Sequence, residues 1–190
     1  TSTPPFSTSQ SGEVLLALVA SDGPSGGGQQ VRVSGAGLSW SLVKRTNTDI
    51  GTAEIWRAVA GTVLSNVVVT SQQRYGPYDQ SLDVVTFADS GGTGASAGAH
   101  GLNGAPSVTL VPTATDSLAL AVGDDWDNAI PRTLAPGQLL LSQVVDTTSG
   151  DTFWAQISTS LTTADVPVAL SDTSPTTDRW NMSAVEVTLP

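Results

Sequence analysis

Cysteine is absent from the 190 residues, which excludes disulfides, thiolate nucleophiles and thiolate-held metal ions. Lysine occurs once, as Lys44, and histidine once, as His100. Glutamate occurs only at Glu13, Glu54 and Glu186. Basic charge is scarce altogether: 7 Lys and Arg stand against 17 Asp and Glu, a net charge of −10. A surface of that sign repels phosphate backbones and anionic headgroups, so no nucleic-acid partner is expected. Long apolar runs are missing too. None approaches the roughly 18 residues of a membrane helix, so no membrane insertion is expected. No stretch has the pattern of a secretory leader. His100 lies in a Gly/Ala stretch with no metal-ligand spacing, and nothing near it resembles a nucleophile turn.

What is abundant is Ser, Thr, Gly and Asp, around a hydrophobic fraction of 39% that is high enough to fold. That balance suits an exported module, secreted or at a cell surface. Residues 1–12, TSTPPFSTSQSG, read as a linker or edge segment, and residues 13–190 as one domain. Glu13 to Ser21 is a nearly continuous apolar run flanked by Gly12 and Gly23, the signature of a strand buried on both faces. Leu38, Trp40 and Leu42 alternate with serines, and Val185, Val187 and Leu189 alternate with Glu186 and Thr188, the period of half-buried strands. Similar stretches recur at strand-and-turn spacing. They add up to about a dozen strands and no helix. Ser90 to Pro106, made of little but Gly, Ala and Ser, reads as a long loop.

The chain also repeats itself weakly. EVLLALVASD (Glu13–Asp22) overlays DSLALAVGDD (Asp116–Asp125), GTAEIW overlays GDTFW, and Val84–Phe87 falls near Ala184–Val187. Two halves of four to six strands fit an all-β, two-sheet β-sandwich of the jelly-roll kind.

The order GEVLLALVASDG, GLSWSLVKRTNTDIGTAEIWRAVA, VVTFA, GDDWD, TDRWN and AVEVTLP carries a resemblance over most of the chain. It is similar to bacterial extracellular β-sandwich modules appended to large secreted or surface proteins, beside immunoglobulin-like and carbohydrate-active domains. The resemblance implies a non-catalytic accessory module within a larger chain, binding a polysaccharide or other glycan. It brings no catalytic residues. Fold likeness alone does not give a function.

Two polar–aromatic loops carry the candidate site. DDWDN holds Asp124, Asp125, Trp126, Asp127 and Asn128, and TDRWN holds Asp178, Arg179, Trp180 and Asn181. Trp126 and Trp180 offer apolar faces for sugar rings, while Asp127, Asn128, Asp178 and Arg179 offer hydrogen bonds to hydroxyls. The two loops form one site if they meet at one end of the sandwich. Trp40, Trp56 and Trp154 sit inside strand patterns and are expected in the core. Asp124, Asp125 and Asp127 also form the one carboxylate cluster suited to a hard cation such as Ca²⁺, although the loop lacks the spacing of a standard calcium loop; the bland alternative is a solvated acidic turn. Glu54, near Arg57, is read as an ion-pair residue and Glu186 as solvated. Lys44 on a strand near Glu54 leaves an isopeptide cross-link open. The competing functions are a structural or adhesive spacer and a polysaccharide hydrolase or lyase, the latter needing two carboxylates about 5–10 Å apart.

Overall fold

The computed structural model describes residues 1–190. The chain is all-β. Its strands are β1 Glu13–Ser21, β2 Val31–Gly35, β3 Ser41–Thr46, β4 Thr52–Ala60, β5 Val69–Gln73, β6 Gln80–Phe87 and β7 Gly92–Gly101. They continue with β8 Ser107–Leu110, β9 Leu118–Asp125, β10 Thr133–Leu134, β11 Gln138–Asp146, β12 Asp151–Ser158, β13 Val168–Ser174 and β14 Trp180–Thr188.

Two antiparallel sheets form the sandwich, in the orders β3-β4-β1-β6 and β11-β12-β9-β14-β7. Each is covered on its outer face by a short sheet. Strands β2 and β5, with the N-terminal segment bridging at Ser2 and Phe6, lie over the first; β10, β13 and β8 lie over the second. The result is four layers and three apolar cores. Central strands therefore meet apolar neighbours on both sides, which is why β1 is written as an unbroken apolar run and is buried throughout. Val14, Leu16, Leu18 and Ala20 face the central core with Ile55, Leu120, Val122, Phe153 and Val185. Ala17 and Val19 face the opposite way, onto Val31, Val33 and Val69. Full burial of each large aliphatic side chain contributes about 1.5–3 kcal/mol.

The halves repeat. β9, β11, β12 and β14 take the places in their sheet that β1, β3, β4 and β6 take in theirs. The register differs from the overlay read off the sequence. Setting Glu13 on Asp116 places Leu16 on Ala119, yet Leu16 faces the central core and Ala119 the outer one. An odd shift exchanges the two faces of a strand, so it cannot superpose side chains. The tryptophans fix the true correspondence: Trp56 lies opposite Ala17 and Trp154 opposite Gly123, each on the outer face of its sheet.

Ser90 to Pro106 is not a long loop. Most of it is strand β7, paired with β14. Its small residues answer close neighbours. A Cβ on Gly94 would stand 2.1 Å from a Glu186 carboxylate oxygen, and one on Gly98 would stand 2.2 Å from Thr46 Oγ1. Glu186 is not solvated either: it is fully buried, and it accepts hydrogen bonds from the Thr113, Ala114 and Ala95 amides and the Thr113 hydroxyl. Burial alone would raise its pKa, but these donors hold it down at about 2. The side chain reads as polar in sequence because it is charged, and it is inside because it fastens the turn before β9.

Candidate functional site

The antiparallel order brings one set of loops to a single end of the sandwich. There lie Asp22 after β1, Asp49 before β4, Asp79 before β6, and Asp124 to Asp127 at the close of β9. Asp146 and Asp151 flank the turn between β11 and β12, and Asp172 and Asp178 precede β14. This end is the acidic pole of the molecule.

The two polar–aromatic loops meet at this pole. The Arg179 guanidinium carbon sits 4.8 Å from the centre of the Trp126 ring. The Arg179 amide donates to Asp127 Oδ2 at 3.0 Å, and its side-chain Nε lies 3.7 Å from the same oxygen. Asn128 Nδ2 donates to Asp178 Oδ1 at 2.9 Å. Trp126 is half-buried, Asn128 is exposed and Asp178 is buried. Trp180 stands apart from the expected role. It is only 6% exposed, packs with Met182 and Leu170, and donates its Nε1 hydrogen to the Gly104 carbonyl. Its ring closes a core, because β14 is a central strand with an outer layer above it. The stacking face of Trp126 is likewise met by Arg179 from within the protein.

Asp124, Asp125 and Asp127 do not converge on one cation. Successive residues of β9 point to opposite faces. Asp124 faces the interior beside the turn at Gly51, where a Cβ would stand within 2.0 Å of its Oδ2, and Asn181 Nδ2 lies 3.4 Å from it. Asp125 faces outward, paired with Arg132, while Asp127 is held by Arg179. As the side chains stand, no three carboxylates are grouped to hold a metal ion.

Their environment is nevertheless unusual. Burial, then the charge of Asp22, raises Asp124 well above the ordinary carboxylate range. Burial raises Asp151 to about 7, with Asp22 and Asp79 adding repulsion. Beneath the outer layer of the second half, Arg132 lies 4.5 Å over the Trp154 ring. Burial raises Asp125 to about 6 and Asp172 to about 7, in each case against the opposing pull of Arg132. Both Asp172 carboxylate oxygens and Arg132 Nε and Nη1 are buried without a hydrogen-bond partner. This cluster has titratable groups of the kind found at catalytic sites. No surface depression opens onto it: the depressions all lie on the first half.

One of those depressions holds the residues that reading the sequence as core had set aside. Trp40 and Trp56 are each half-buried and line a groove of about 490 Å³ with Arg32, Ser34, Leu38 and Ser39. The short β2–β5 sheet packs over β1 and reaches β4 at Val31, and Trp40 and Trp56 lie at the margin of that core, partly covered. Each indole N–H is tied inside the protein, Trp56 Nε1 to Glu54 Oε2 at 2.9 Å and Trp40 Nε1 to the Gly35 carbonyl at 3.2 Å. The indole nitrogens are thereby engaged inside, which leaves ring carbon to line the groove. Glu54 is pinned from beneath by Arg45, Thr52 and the Val31 amide. Arg57, the sequence neighbour expected as its partner, is not among these contacts. Lys44 pairs across from Ile55 on the other face of the sheet and runs toward Gly98, so it does not meet Glu54. His100 is exposed on β7 opposite Asn181.

No protein-family model matches the chain, and no curated protein or solved structure is significantly similar to it.

Proposed function

We propose that this chain is a non-catalytic extracellular accessory module that binds carbohydrate, with the sugar seated in the Trp40–Trp56 groove. The observation that carries the reading is two partly exposed indole rings lining one groove, each with its N–H already engaged, beside Arg32, Ser34 and Ser39. Apolar walls with a few placed polar groups are what small-ligand sites share. A pyranose presents the matching surface, C–H on one face and hydroxyls at its edge. The acidic pole supports the sugar site less well, because Trp180 lies inside and Trp126 is stacked by Arg179.

Affinity electrophoresis through gels cast with a panel of plant, algal and bacterial polysaccharides tests the reading. Retardation by at least one polymer is expected, and Trp40→Ala is expected to weaken it by about tenfold or more, a difference of roughly 1.4 kcal/mol. Retardation lost in a Trp126→Ala variant but kept in Trp40→Ala would move the site to the acidic pole. The second reading is a structural or adhesive spacer. It is favoured by the three stacked cores, which make a continuous packed body through all four layers. It calls for no retardation by any polymer.

Calcium belongs to the same proposal, as a counter-ion at the acidic pole. The buried, unpartnered Asp124 Oδ1 and Asp151 Oδ2 motivate it. A ligand that binds only the folded state raises its melting temperature. Calcium is therefore expected to raise Tm and EDTA to return it; identical melting in both ends the idea.

A further inference from the structure

We infer that the sugar recognised is acidic, a uronate-containing polysaccharide; this rests on the carbohydrate reading above. Charge placement carries the inference. In a chain of net charge −10, no Asp or Glu lines the Trp40–Trp56 groove or the smaller depression beside it. The two share Arg32. The second depression, about 240 Å³, adds Gln30, Gln72 and Arg74.

The strand geometry sets these side chains in one row. Val31 and Val33 face the outer core, so Arg32 faces solvent. On the partner strand Gln72 lies directly across from Arg32, and the Arg74 amide donates to the Gln30 carbonyl at 2.8 Å. Arg32 and Arg74 are thus diagonal neighbours on an exposed ribbon. Arg45, Arg132 and Arg179 each have a carboxylate partner; Arg32, Arg57 and Arg74 have none, and of these Arg57 lies away from the groove, toward Gly92 on β7. Arg74 stands 5.2 Å from the Tyr75 ring, which leaves its planar fork available.

A guanidinium fork matches a carboxylate in two parallel hydrogen bonds. A uronate chain presents one carboxylate per acidic residue along an edge whose ring faces stay apolar. One sugar stacked on Trp40 and Trp56 would leave its neighbours' carboxylates along the Arg32–Arg74 row, with Gln30 and Gln72 serving the hydroxyls. Phosphate backbones lack the pyranose face that the indoles require, so the pairing of rings with arginines selects an acidic sugar over a bare polyanion.

The test compares the intact protein with an Arg32→Gln, Arg74→Gln double variant and with Trp40→Ala. The probes are polygalacturonate, its fully methyl-esterified form, alginate, a neutral glucan and a sulfated glucan. The expected result is binding to polygalacturonate or alginate that falls about tenfold or more in the double variant and weakens as salt shortens the range of the charges. The methyl ester and the neutral glucan should lose far less in the double variant than polygalacturonate does. Trp40→Ala should lose acidic binding even where both arginines remain. Equal binding of polygalacturonate and its ester by both proteins overturns the charge inference and leaves the carbohydrate reading standing. Preference for the sulfated glucan over both uronates overturns the choice of uronate. Binding to none of the five overturns this inference, and silence across the wider panel above ends the carbohydrate reading with it.

Discussion

Trp56 and Trp154 occupy equivalent places in the two halves, on the outer face of the second strand of each sheet, and their surroundings differ completely. Trp154 is 1% exposed, lies under Arg132 and donates to Gln156 Oε1. Trp56 is partly exposed, donates to Glu54 and walls a groove. The charges beneath them differ as well. Glu54 in the first half is met by Arg45, Thr52, Trp56 and the Val31 amide. In the second half Asp172 has no hydrogen-bonded partner and Arg132 has two idle nitrogens. On the outer face, one repeat is therefore open around a fully partnered Glu54, the other closed around the unpartnered Asp172. A duplicated scaffold lets one copy keep the stack together while the other is free to expose an aromatic surface.

The largest test of that contrast is packing. Trp154→Ala should cost about 3–5 kcal/mol, the range for a large buried aromatic, and Trp56→Ala less than half as much. Urea midpoints compare them, and equal losses would mean that the halves are packed alike. The next test is pH. Asp172 has a folded pKa of about 7. The unfolded value is about 3.9, so its contribution is fully present below pH 4 and declines as pH rises through 7, by up to about 4 kcal/mol. Asp172→Asn should therefore flatten the stability profile between pH 4 and 8 and stabilise the protein at the alkaline end; a profile parallel to the parent's would remove the contrast at Asp172.

Glu186 works in the opposite sense. Its folded pKa of about 2 means stability that is present above the unfolded value and lost as pH falls toward 2. Glu186→Gln should cost about 1.5–3 kcal/mol at pH 7 and almost nothing in strong acid, read by thermal melts. The smallest expected effect is at the join between the sheets. Gly98→Ala should cost about 1–3 kcal/mol by crowding Thr46 and Lys44, while Gly26→Ala, in open space, should cost little. Equal melting temperatures for the two would show that β7 is loosely held against β3.

Much of the sandwich was legible because sheet residues alternate with period two and buried strands lose that alternation. The apolar run of β1 and the alternating tail of β14 both marked their strands. The Gly/Ala/Ser stretch misled, because small residues signal equally a free loop and a strand lying against bulky neighbours. The two polar–aromatic loops could be paired by composition, and they do share an end. Which tryptophan was exposed was not legible. Trp180 sits between polar residues in sequence, yet it starts a central strand; Trp40 and Trp56 sit inside strand patterns, yet the β2–β5 layer covers them only in part.

Composition and local periodicity, which act residue by residue, carried the acidity, the absence of cysteine and the all-β class. The tertiary structure alone decided the register of the repeat, the burial of Glu186 and Trp180, and the opening beside Trp40 and Trp56. Those outcomes depend on which layer covers which face, and that is set by partners far away along the chain.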